Sequence, residues 1–412
     1  MHILLIHQAF AALDEPGGTR HHELARFLAA KGYRVTVIAS PVSYLTGRSR
    51  QGRTAWVERQ QDGKQITLLR AYTYPALHRS FAHRVVSFFS FMFSSFLVGL
   101  SVRQVDLVWG TSPPIFQGIT AWILARLKRV PFLFEVRDLW PAFAIAVGVL
   151  RQPYLIKASE WLERFLYSHA DKVMVNSPGF VTHVRERGAR HVELIPNGAN
   201  PDMFSAEEAG AQFRQLHGWG SKFAVLYAGA HGLSNDLGVL LETARLLSDQ
   251  PEILLVMLGD GKDKPALVQQ ASKAGLVNVQ FLQPVPKVEM PQALAAADAC
   301  IAILKPLEMY KTVYPNKVFD YMAASRPVIL AIDGVIRQVI ESADAGIAIQ
   351  PGDPVAMAEA IRLLFQNREL AGKLGSNGRR YVEQHFDRAA LADQLATLLS
   401  AMVAQPEQKT TL

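Results

Sequence analysis

Short apolar stretches alternate with amphipathic stretches along almost the whole chain, and this alternation constrains the fold more than any other feature. In the first half the apolar stretches read HILLI, YRVTVIA, VDLVWG, PFLFEV and KVMVNS, and helix-like segments lie between them. Continuous apolar strands that alternate with helices are typical of a parallel sheet covered by helices on both faces. The first half is therefore predicted to be a doubly wound α/β domain.

A second series of the same kind begins near residue 222. Its apolar stretches read KFAVLYAGA, EILLVMLGDG, VQFLQPV, CIAIL, PVILAI and AGIAIQ. The join lies in PNGANPDMFSAEEAG, whose Pro, Gly and Asn content suits a linker. We predict domains at 1–200 and 201–386, and a last helix at about 387–404 that packs back onto the first domain. Ligands of such sheets bind at the carboxyl ends of the strands, so we expect two facing domains with an interdomain cleft.

Composition narrows the class of protein. The 412 residues suffice for two or three domains with real cores, and half of them are hydrophobic, which argues against disorder. A single cysteine, Cys300, excludes a disulfide framework and fits a reducing compartment. The first residues, MHILLIHQAF, lack the basic region and cleavage site of a signal peptide. The net charge of +7 favours either simple solubility or attraction to an anionic partner, and we expect no nucleic acid partner.

Residues 85–100 form a run of 16 residues without a charge, between Arg84 and Arg103. As a helix this run covers roughly 24 Å, which is shorter than the ~30 Å core of a bilayer. Two interpretations remain open. The run is either a helix buried in a large core or an interfacial helix whose basic flanks attract anionic lipid.

Three glycine-rich turns follow strands and are candidate anion sites. Glycine lets backbone N–H groups approach a ligand, and the N-terminus of a helix favours phosphate. None of the turns reads G-x-G-x-x-G, so a dinucleotide turn is not indicated; each alone is also compatible with a simple turn. The candidate residues are Gly17, Gly18 and Arg20 in the first domain, and Gly229, His231, Gly232, Gly261, Lys262 and Val285 in the second.

Charged residues directly follow the strand PFLFEV. Arg137 and Asp138 stand at its carboxyl end, where the functional groups of this fold collect. They either form an ion pair that closes a loop, or Asp138 orients an acceptor hydroxyl or takes its proton. The chain shows no D-x-D loop, C-x-x-C or H-E-x-x-H pattern, so no metal site is expected.

The stretch PNKVFDYMAAS places Asn316, Lys317 and Asp320 at the start of a short predicted helix. A lysine beside free N–H groups suits a diphosphate. Asp320 lies one turn further on, on the same face, where a carboxylate can accept hydrogen bonds from two neighbouring hydroxyls such as those of a ribose. The alternative is a simple surface pair between Lys317 and Asp320.

These stretches resemble a known family. PNKVFDYMAASRPVI, PGGTRHHELARFLAAKGYRVTVIAS, RDLWP, PNGAN and AGAHG are similar to features of the retaining glycosyltransferase family four (GT4), and most closely to its N-acetyl-L-fucosamine transferase branch in O-antigen synthesis. The family usually has two glutamates eight positions apart, where this chain has Thr312 and Asp320. The usual Arg/Lys pair after the first strand of the second domain is also missing; Ala230 stands in that region.

The resemblance implies a GT-B fold and a transferase that moves a sugar, expected to be N-acetylated, from a UDP-sugar to a lipid-linked saccharide. It implies retention of the anomeric configuration without a metal or another cofactor. Lys317 would bind the diphosphate, Asp320 the ribose, and Asp138 the acceptor. We expect a peripheral location on the cytoplasmic face of the membrane, reached through residues 85–100. The alternatives are a nicotinamide-dependent nucleotide-sugar epimerase or reductase, and a non-catalytic membrane scaffold.

Overall fold

The chain divides into two units in the computed structural model, which describes residues 1–43, 47, 55–75, 81–204 and 207–404. The first unit contains Met1–Ala12, Gly17–Pro196 and Ala389–Leu412, and the second contains Leu13–Pro16 and Asn197–Arg388. The chain thus passes to the second unit after Pro196, close to the predicted join. A short piece of the loop after the first strand, Leu13–Pro16, also belongs to the second unit, which no sequence pattern indicated.

The described part of the first unit is built on an eight-stranded sheet with the order β3-β4-β2-β1-β5-β6-β7-β8. The strands are β1 (His2–Ile6), β2 (Arg34–Ala39), β3 (Val57–Asp62), β4 (Ile66–Ala71), β5 (Leu107–Ser112), β6 (Phe132–Val136), β7 (Lys172–Val175) and β8 (Val192–Leu194). All pairs are parallel except β3 with β4. The sequence pattern missed both of these strands. The edge strand β3 reads VERQQD and has no apolar run.

Helices cover both faces of this sheet. They are α1 (Arg20–Ala30), α2 (Phe81–Ser101), α3 (Phe116–Lys128), α4 (Ala142–Ala146), α5 (Pro153–His169) and α6 (Val181–Glu186). The segment 85–100 lies within α2. Among the described residues, α2 is the one helix that is long and apolar enough to cross a membrane, and about a third of its apolar window is buried.

The second unit has, in its described part, a six-stranded sheet that is parallel throughout, with the order β11-β10-β9-β12-β13-β14. The strands are β9 (Phe223–Ala228), β10 (Ile253–Leu258), β11 (Val279–Leu282), β12 (Ala299–Ile303), β13 (Val328–Ala331) and β14 (Gly346–Ala348). The helices are α7 (Glu207–His217), α8 (Gly238–Leu246), α9 (Lys264–Lys273), α10 (Met290–Ala296), α11 (Asn316–Ala323), α12 (Val335–Ala343), α13 (Pro354–Gln366) and α14 (Arg368–His385).

The core of the second unit lies on both faces of its sheet. β9, β10, β12 and β13 are buried along their whole length, so successive side chains feed two separate apolar clusters. Burial on both faces explains why these strands read as continuous apolar runs. Cys300 belongs to one cluster and is a free, buried thiol.

The last helix, α15 (Arg388–Ala404), lies in the first unit from Ala389 onward. Its residues Leu391, Leu395 and Leu399 share an apolar cluster with Leu24 and Leu28 of α1. Lys31, directly after α1, also pairs with Asp393 at 2.8 Å. The chain therefore returns to its first unit in α15.

Candidate active site

The sheet of the second unit reverses its strand order between β9 and β12. From β9 the chain moves outward to β10 and β11, and after β12 it moves the opposite way, to β13 and β14. Ligands of open α/β sheets bind outside the carboxyl ends of the strands at such a point. Here the turn at Gly229 follows β9, and the segment from Leu304 to α11 follows β12.

Lys317 projects into this point from the second position of α11. The residue is half-buried, but its Nζ atom is shut off from solvent and has no hydrogen-bond partner among the described residues. The Nζ atom lies 4.0 Å from the centroid of the Tyr227 ring, close enough for a cation–π attraction. A Cβ atom on Gly229 would overlap it. Burial lowers the pKa of Lys317 to about 7, because the protonated amine has no hydrogen-bonded counter-charge among the described residues.

Packing fixes the position of α11, and therefore of Lys317. Val318, Phe319 and Met322 are fully buried in the core of the second unit. The Tyr321 hydroxyl accepts a hydrogen bond from the backbone N–H of Ala228 at the end of β9, at 2.9 Å. A lysine on a helix that is anchored on both faces has little freedom to leave the site.

His231 lies beside Lys317 in the turn after β9. The imidazole is fully buried, and neither ring nitrogen has a hydrogen-bond partner in the part of the chain that the structure describes. Burial, and then the nearby Lys264 and Lys317, lower the pKa of His231 to about 4. The ring is therefore neutral at pH 7, with one nitrogen available to donate.

The glycines of the two turns are needed for close packing. A Cβ on Gly259 would overlap the carbonyl oxygen of Gly229, and a Cβ on Gly261 would overlap the backbone of His231. The structure thus brings the predicted site residues Gly229, His231, Gly261 and Lys317 together. Gly232 has open space around its Cα, so it is not needed for packing.

Asp320 and Asn316 lie in a different set of contacts. Asp320 pairs with Lys287 at 2.6 Å, and the Asn316 amide lies 3.4 Å from the same carboxylate. Arg388 donates to the Asn316 side chain at 2.8 Å. The simple pair between Lys317 and Asp320 is not formed. Lys287 lies 33 positions before its partner, so no local pattern pointed to it.

The remaining candidates of the second unit have separate environments. Lys262 is exposed, and Val285 is half-buried against the core. Lys264 was not predicted, yet its Nζ donates to the carbonyl oxygens of Gly259 at 2.7 Å and Leu282 at 2.8 Å. It therefore joins the ends of β10 and β11 and holds the glycine turn in place.

Arg20 in the first unit does not line an anion loop, which corrects the sequence interpretation. It is buried, its guanidinium pairs with Glu135, and it also donates to the carbonyl oxygen of Ile195 at 2.8 Å. A loop arginine in solvent could bind phosphate, but this one already has a buried carboxylate. Of the two glycines before it, Gly18 has open space around its Cα, and Gly17 lies close to Ala11.

Glu135 is the centre of a buried polar cluster at the end of β6. His21 lies 2.5 Å from its carboxylate, and the Trp109 indole donates to it at 3.1 Å. Burial opposes ionisation of Glu135, but His21 and Arg20 outweigh it, so its pKa falls to about 2. Burial lowers the pKa of His21 to about 4, which leaves Arg20 as the lasting positive charge. This cluster fixes the strand end that Arg137 and Asp138 extend.

Arg137 and Asp138 follow β6 directly, as predicted. The Arg137 guanidinium donates to the carbonyl oxygen of Pro113 at 2.7 Å, which attaches the loop to the end of β5. Asp138 keeps an exposed side chain, and no ion pair joins it to Arg137 among the described residues. Dense surroundings nevertheless desolvate its carboxyl group and raise the pKa to about 6, against the opposing effect of Arg137.

A metal site is not evident in the described ranges: no group of three or more His, Cys, Asp or Glu side chains could hold an ion there. The positive charge near the glycine turns comes from lysines instead.

Two family models match the two halves of the chain. Residues 17–198 match a glycosyl transferase 4-like domain, and residues 211–381 match the glycosyl transferases group 1 domain. A protein of Escherichia coli K12 named as a colanic acid biosynthesis glycosyl transferase, WcaI, is 24% identical over 379 residues, which cover 89% of this chain and 91% of that protein.

Solved structures show the same fold at lower identity. Sucrose-phosphate synthase from Thermosynechococcus elongatus has a TM-score of 0.77 at 19% identity and covers 98% of this chain and 99% of its own. HepE from Anabaena, solved in complex with UDP-glucose, has a TM-score of 0.70 at 17% identity and covers 97% and 100%. The predicted GT-B class, with two Rossmann-like domains that have parallel sheets, is confirmed.

Proposed function

We propose, from the premise that the chain is a glycosyltransferase of family GT4, that it moves a sugar from a UDP-sugar to a lipid-linked saccharide in the synthesis of a bacterial surface polysaccharide. The similarity to a colanic acid biosynthesis enzyme supports this setting, and the UDP-glucose complex of HepE supports the donor class. The proposed sugar is N-acetylated, as in the N-acetyl-L-fucosamine branch. The proposed reaction retains the anomeric configuration and uses neither a metal nor another cofactor.

The observation that carries the proposal is the buried ammonium of Lys317. An unpaired cation in a desolvated site is unfavourable unless a ligand supplies the counter-charge. Gly229 lets the Lys317 ammonium approach the turn after β9 closely, Gly261 lets the next turn pack against His231, and His231 adds a neutral donor. We assign the donor diphosphate to these groups. As the glycosidic bond breaks, negative charge grows on the leaving diphosphate, and a positioned ammonium stabilises it.

Asp320 is assigned to the ribose, and Lys287 orients it. An ionised carboxylate has about four acceptor positions, so the pair at 2.6 Å leaves capacity for sugar hydroxyls. Asn316 binds the same carboxylate and Arg388, so this group is held in one orientation before the donor arrives.

Asp138 is assigned to the acceptor in the first unit. Its exposed carboxyl group has a raised pKa of about 6, which suits a group that orients a hydroxyl or accepts its proton near neutral pH. In the retaining mechanism we propose, the leaving diphosphate also helps to take the acceptor proton. A lipid-linked acceptor places the reaction at a membrane surface, and we propose that α2 supplies the contact on the cytoplasmic face.

A ligand panel and a transfer assay test the function. UDP is expected to raise the melting temperature more than GDP, ADP or NAD, since a ligand at 100 times its Kd adds about 2.7 kcal/mol of stability. Incubation with UDP-N-acetylhexosamines and a lipid-linked acceptor in EDTA should give an α-linked product from an α-linked donor, visible by NMR. Stabilisation by NAD without any effect of UDP would favour the epimerase instead. Lipid binding without nucleotide stabilisation would favour the scaffold.

A further inference from the structure

Helix α2 buries several serines and exposes several large apolar side chains. Its buried face contains serines, among them Ser87, Ser94 and Ser95, and the Ser94 hydroxyl donates to the carbonyl oxygen of Tyr72 at 2.6 Å. Phe91 and Val98 are also buried, but five of its large apolar side chains are exposed. We call the exposed set the apolar stripe: Val86, Phe89, Phe93, Leu97 and Leu100. Their spacing of three or four residues places them on one side of the helix, and Phe93 is 60% exposed.

Helix α5 exposes a second unusual surface. We call it the aromatic–basic face: Tyr154, Lys157, Trp161 and Arg164, again spaced by three or four residues. Tyr154 is 69% exposed and Trp161 is 65% exposed. Large aromatic side chains with a polar atom at one end are typical of the region where lipid headgroups meet water.

The acidic residues of α5 are directed away from this face. Glu163 is fully buried between His183 and Arg187, at 2.9 Å from each, and Glu160 lies 3.7 Å from the same arginine. No ion pair involves Lys157 or Arg164 among the described residues, so both cations of the face are available to an anionic partner.

The two surfaces lie on the same side of the first unit. The connections through α2, α3 and α5 all move the chain in one direction across the sheet, toward β5, β6 and β7 in turn. Right-handed crossovers in one direction place their helices on one face, whereas α1 and α15 share the cluster on the other.

Ring contacts connect the three helices. Phe89 of α2 lies 5.1 Å from Phe116 of α3. Trp122 of α3 lies 4.8 Å from Phe165 of α5, which stacks on Trp161 at 5.4 Å. The aromatic anchor of α5 is therefore fixed to the same helical layer as the apolar stripe.

We propose that this layer docks the protein on an anionic phospholipid bilayer in two parts, the apolar stripe inserting at the acyl boundary and the aromatic–basic face binding the headgroups. This inference rests on the proposed membrane contact and is independent of the sugar transfer. Two separated anchors fix how the first unit is turned relative to the bilayer, which a single interfacial helix leaves free to rotate about its axis. An acidic protein would match the charges but would not need the inserted apolar stripe.

Flotation with vesicles tests the two parts. The full chain should bind vesicles of phosphatidylcholine with 30% phosphatidylglycerol, and bind pure phosphatidylcholine much more weakly. Each basic residue near such a surface contributes about fivefold to partitioning, so Lys157→Glu with Arg164→Glu should weaken binding at least about 25-fold. Salt should have much less effect on that variant. Phe89→Ser with Phe93→Ser should abolish binding to both kinds of vesicle.

Matched variants in the second unit control for charge and apolarity. Lys273→Glu with Arg380→Glu has the same charge change, and Leu216→Ser with Val277→Ser removes exposed apolar groups; both should bind as the wild type does. UDP stabilisation and transfer to a water-soluble acceptor should persist in all variants, which shows that they fold and that transfer is intact. Unchanged binding and salt dependence after the α5 changes would overturn the two-part docking. No flotation of the wild type, with or without capture of an acidic protein, would overturn the membrane contact itself.

Discussion

The unpaired ammonium of Lys317 makes a sharp prediction about proton uptake. Burial lowers its pKa from 10.5 to about 7, which corresponds to about 5 kcal/mol against the charged form in the free site; the ring of Tyr227 offsets a part. A diphosphate that binds beside it restores a favourable environment for the charge. The pKa of Lys317 is therefore expected to rise on binding.

The sign and size of the effect follow from this shift. A group whose pKa is higher in the complex adds its full binding energy below the pKa of the free site, and loses it as the pH rises toward the pKa of the complex. With a free pKa of about 7 and a bound pKa above 9, UDP affinity should fall at least about 12-fold between pH 7.5 and 9.0, or about 1.5 kcal/mol. Phosphate ionisation, with a pKa near 6, lies outside this range.

The other titratable groups near Lys317 do not produce this pH dependence of UDP affinity. His231 has a pKa of about 4 and is neutral throughout. Burial raises the pKa of Tyr227 well above the range. Asp320 is paired with Lys287. Burial also lowers the pKa of Lys264, but its ammonium keeps two carbonyl partners. Any titration of Lys264 would persist in Lys317→Met, so this variant distinguishes titration of Lys264 from titration of Lys317.

Calorimetry at pH 8.5 in buffers of different ionisation enthalpy measures the proton count. Nearly one proton should enter the wild-type complex, and none should enter the complex of Lys317→Met. The variant should bind UDP weakly and without pH dependence, lose orders of magnitude in turnover, and yet melt higher than the ligand-free wild type at pH 6.5, because it lacks the buried charge. Zero proton uptake by the wild type, or near-normal turnover of the variant, would refute the assignment.

Three other variants test neighbouring parts of the two units. Gly229→Ala should raise the donor KM at least tenfold, because the added Cβ overlaps the Lys317 ammonium. Gly232→Ala, where space is open, should behave as the wild type. Equal KM values for the two variants would contradict the close approach of Lys317 to Gly229. Asp138→Asn should lower kcat about 100-fold with unchanged UDP stabilisation. The activity of the wild type should fall below pH 6, where the Asp138 carboxyl group becomes protonated. A flat pH profile of the wild type would argue against this role of Asp138. Lys287→Met should cost about 3–5 kcal/mol in urea unfolding, since it removes the ammonium that pairs with the largely buried Asp320 carboxylate. Adding Asp320→Asn should recover part of the loss, and no recovery would contradict the pair.

The alternation of strands and helices was readable from the sequence because burial on both faces gives uninterrupted apolar runs. That signal depends only on neighbouring residues, so β9, β10 and β12 were predicted, and the polar edge strand β3 was missed. Glycines such as Gly229 were identified because a strand that ends in glycine before a helix is a local pattern. The carboxylate that Arg20 contacts could not be identified from neighbouring residues, since Glu135 lies 115 positions away.

The same distinction explains why the missing Arg/Lys pair after β9 does not leave this point of the second unit without a cation. At the point of strand reversal, β9 and β12 are hydrogen-bonded neighbours, although 70 residues of chain lie between them. A cation can therefore reach one point in space from the turn after β9 or from the helix after β12. The hydrogen bond between Tyr321 and Ala228 holds that helix against the end of β9, which puts the Lys317 ammonium beside Gly229. A sequence motif at one strand shows only that the cations after β9 are missing. The topology of the sheet shows that the helix after β12 places a lysine at the same point.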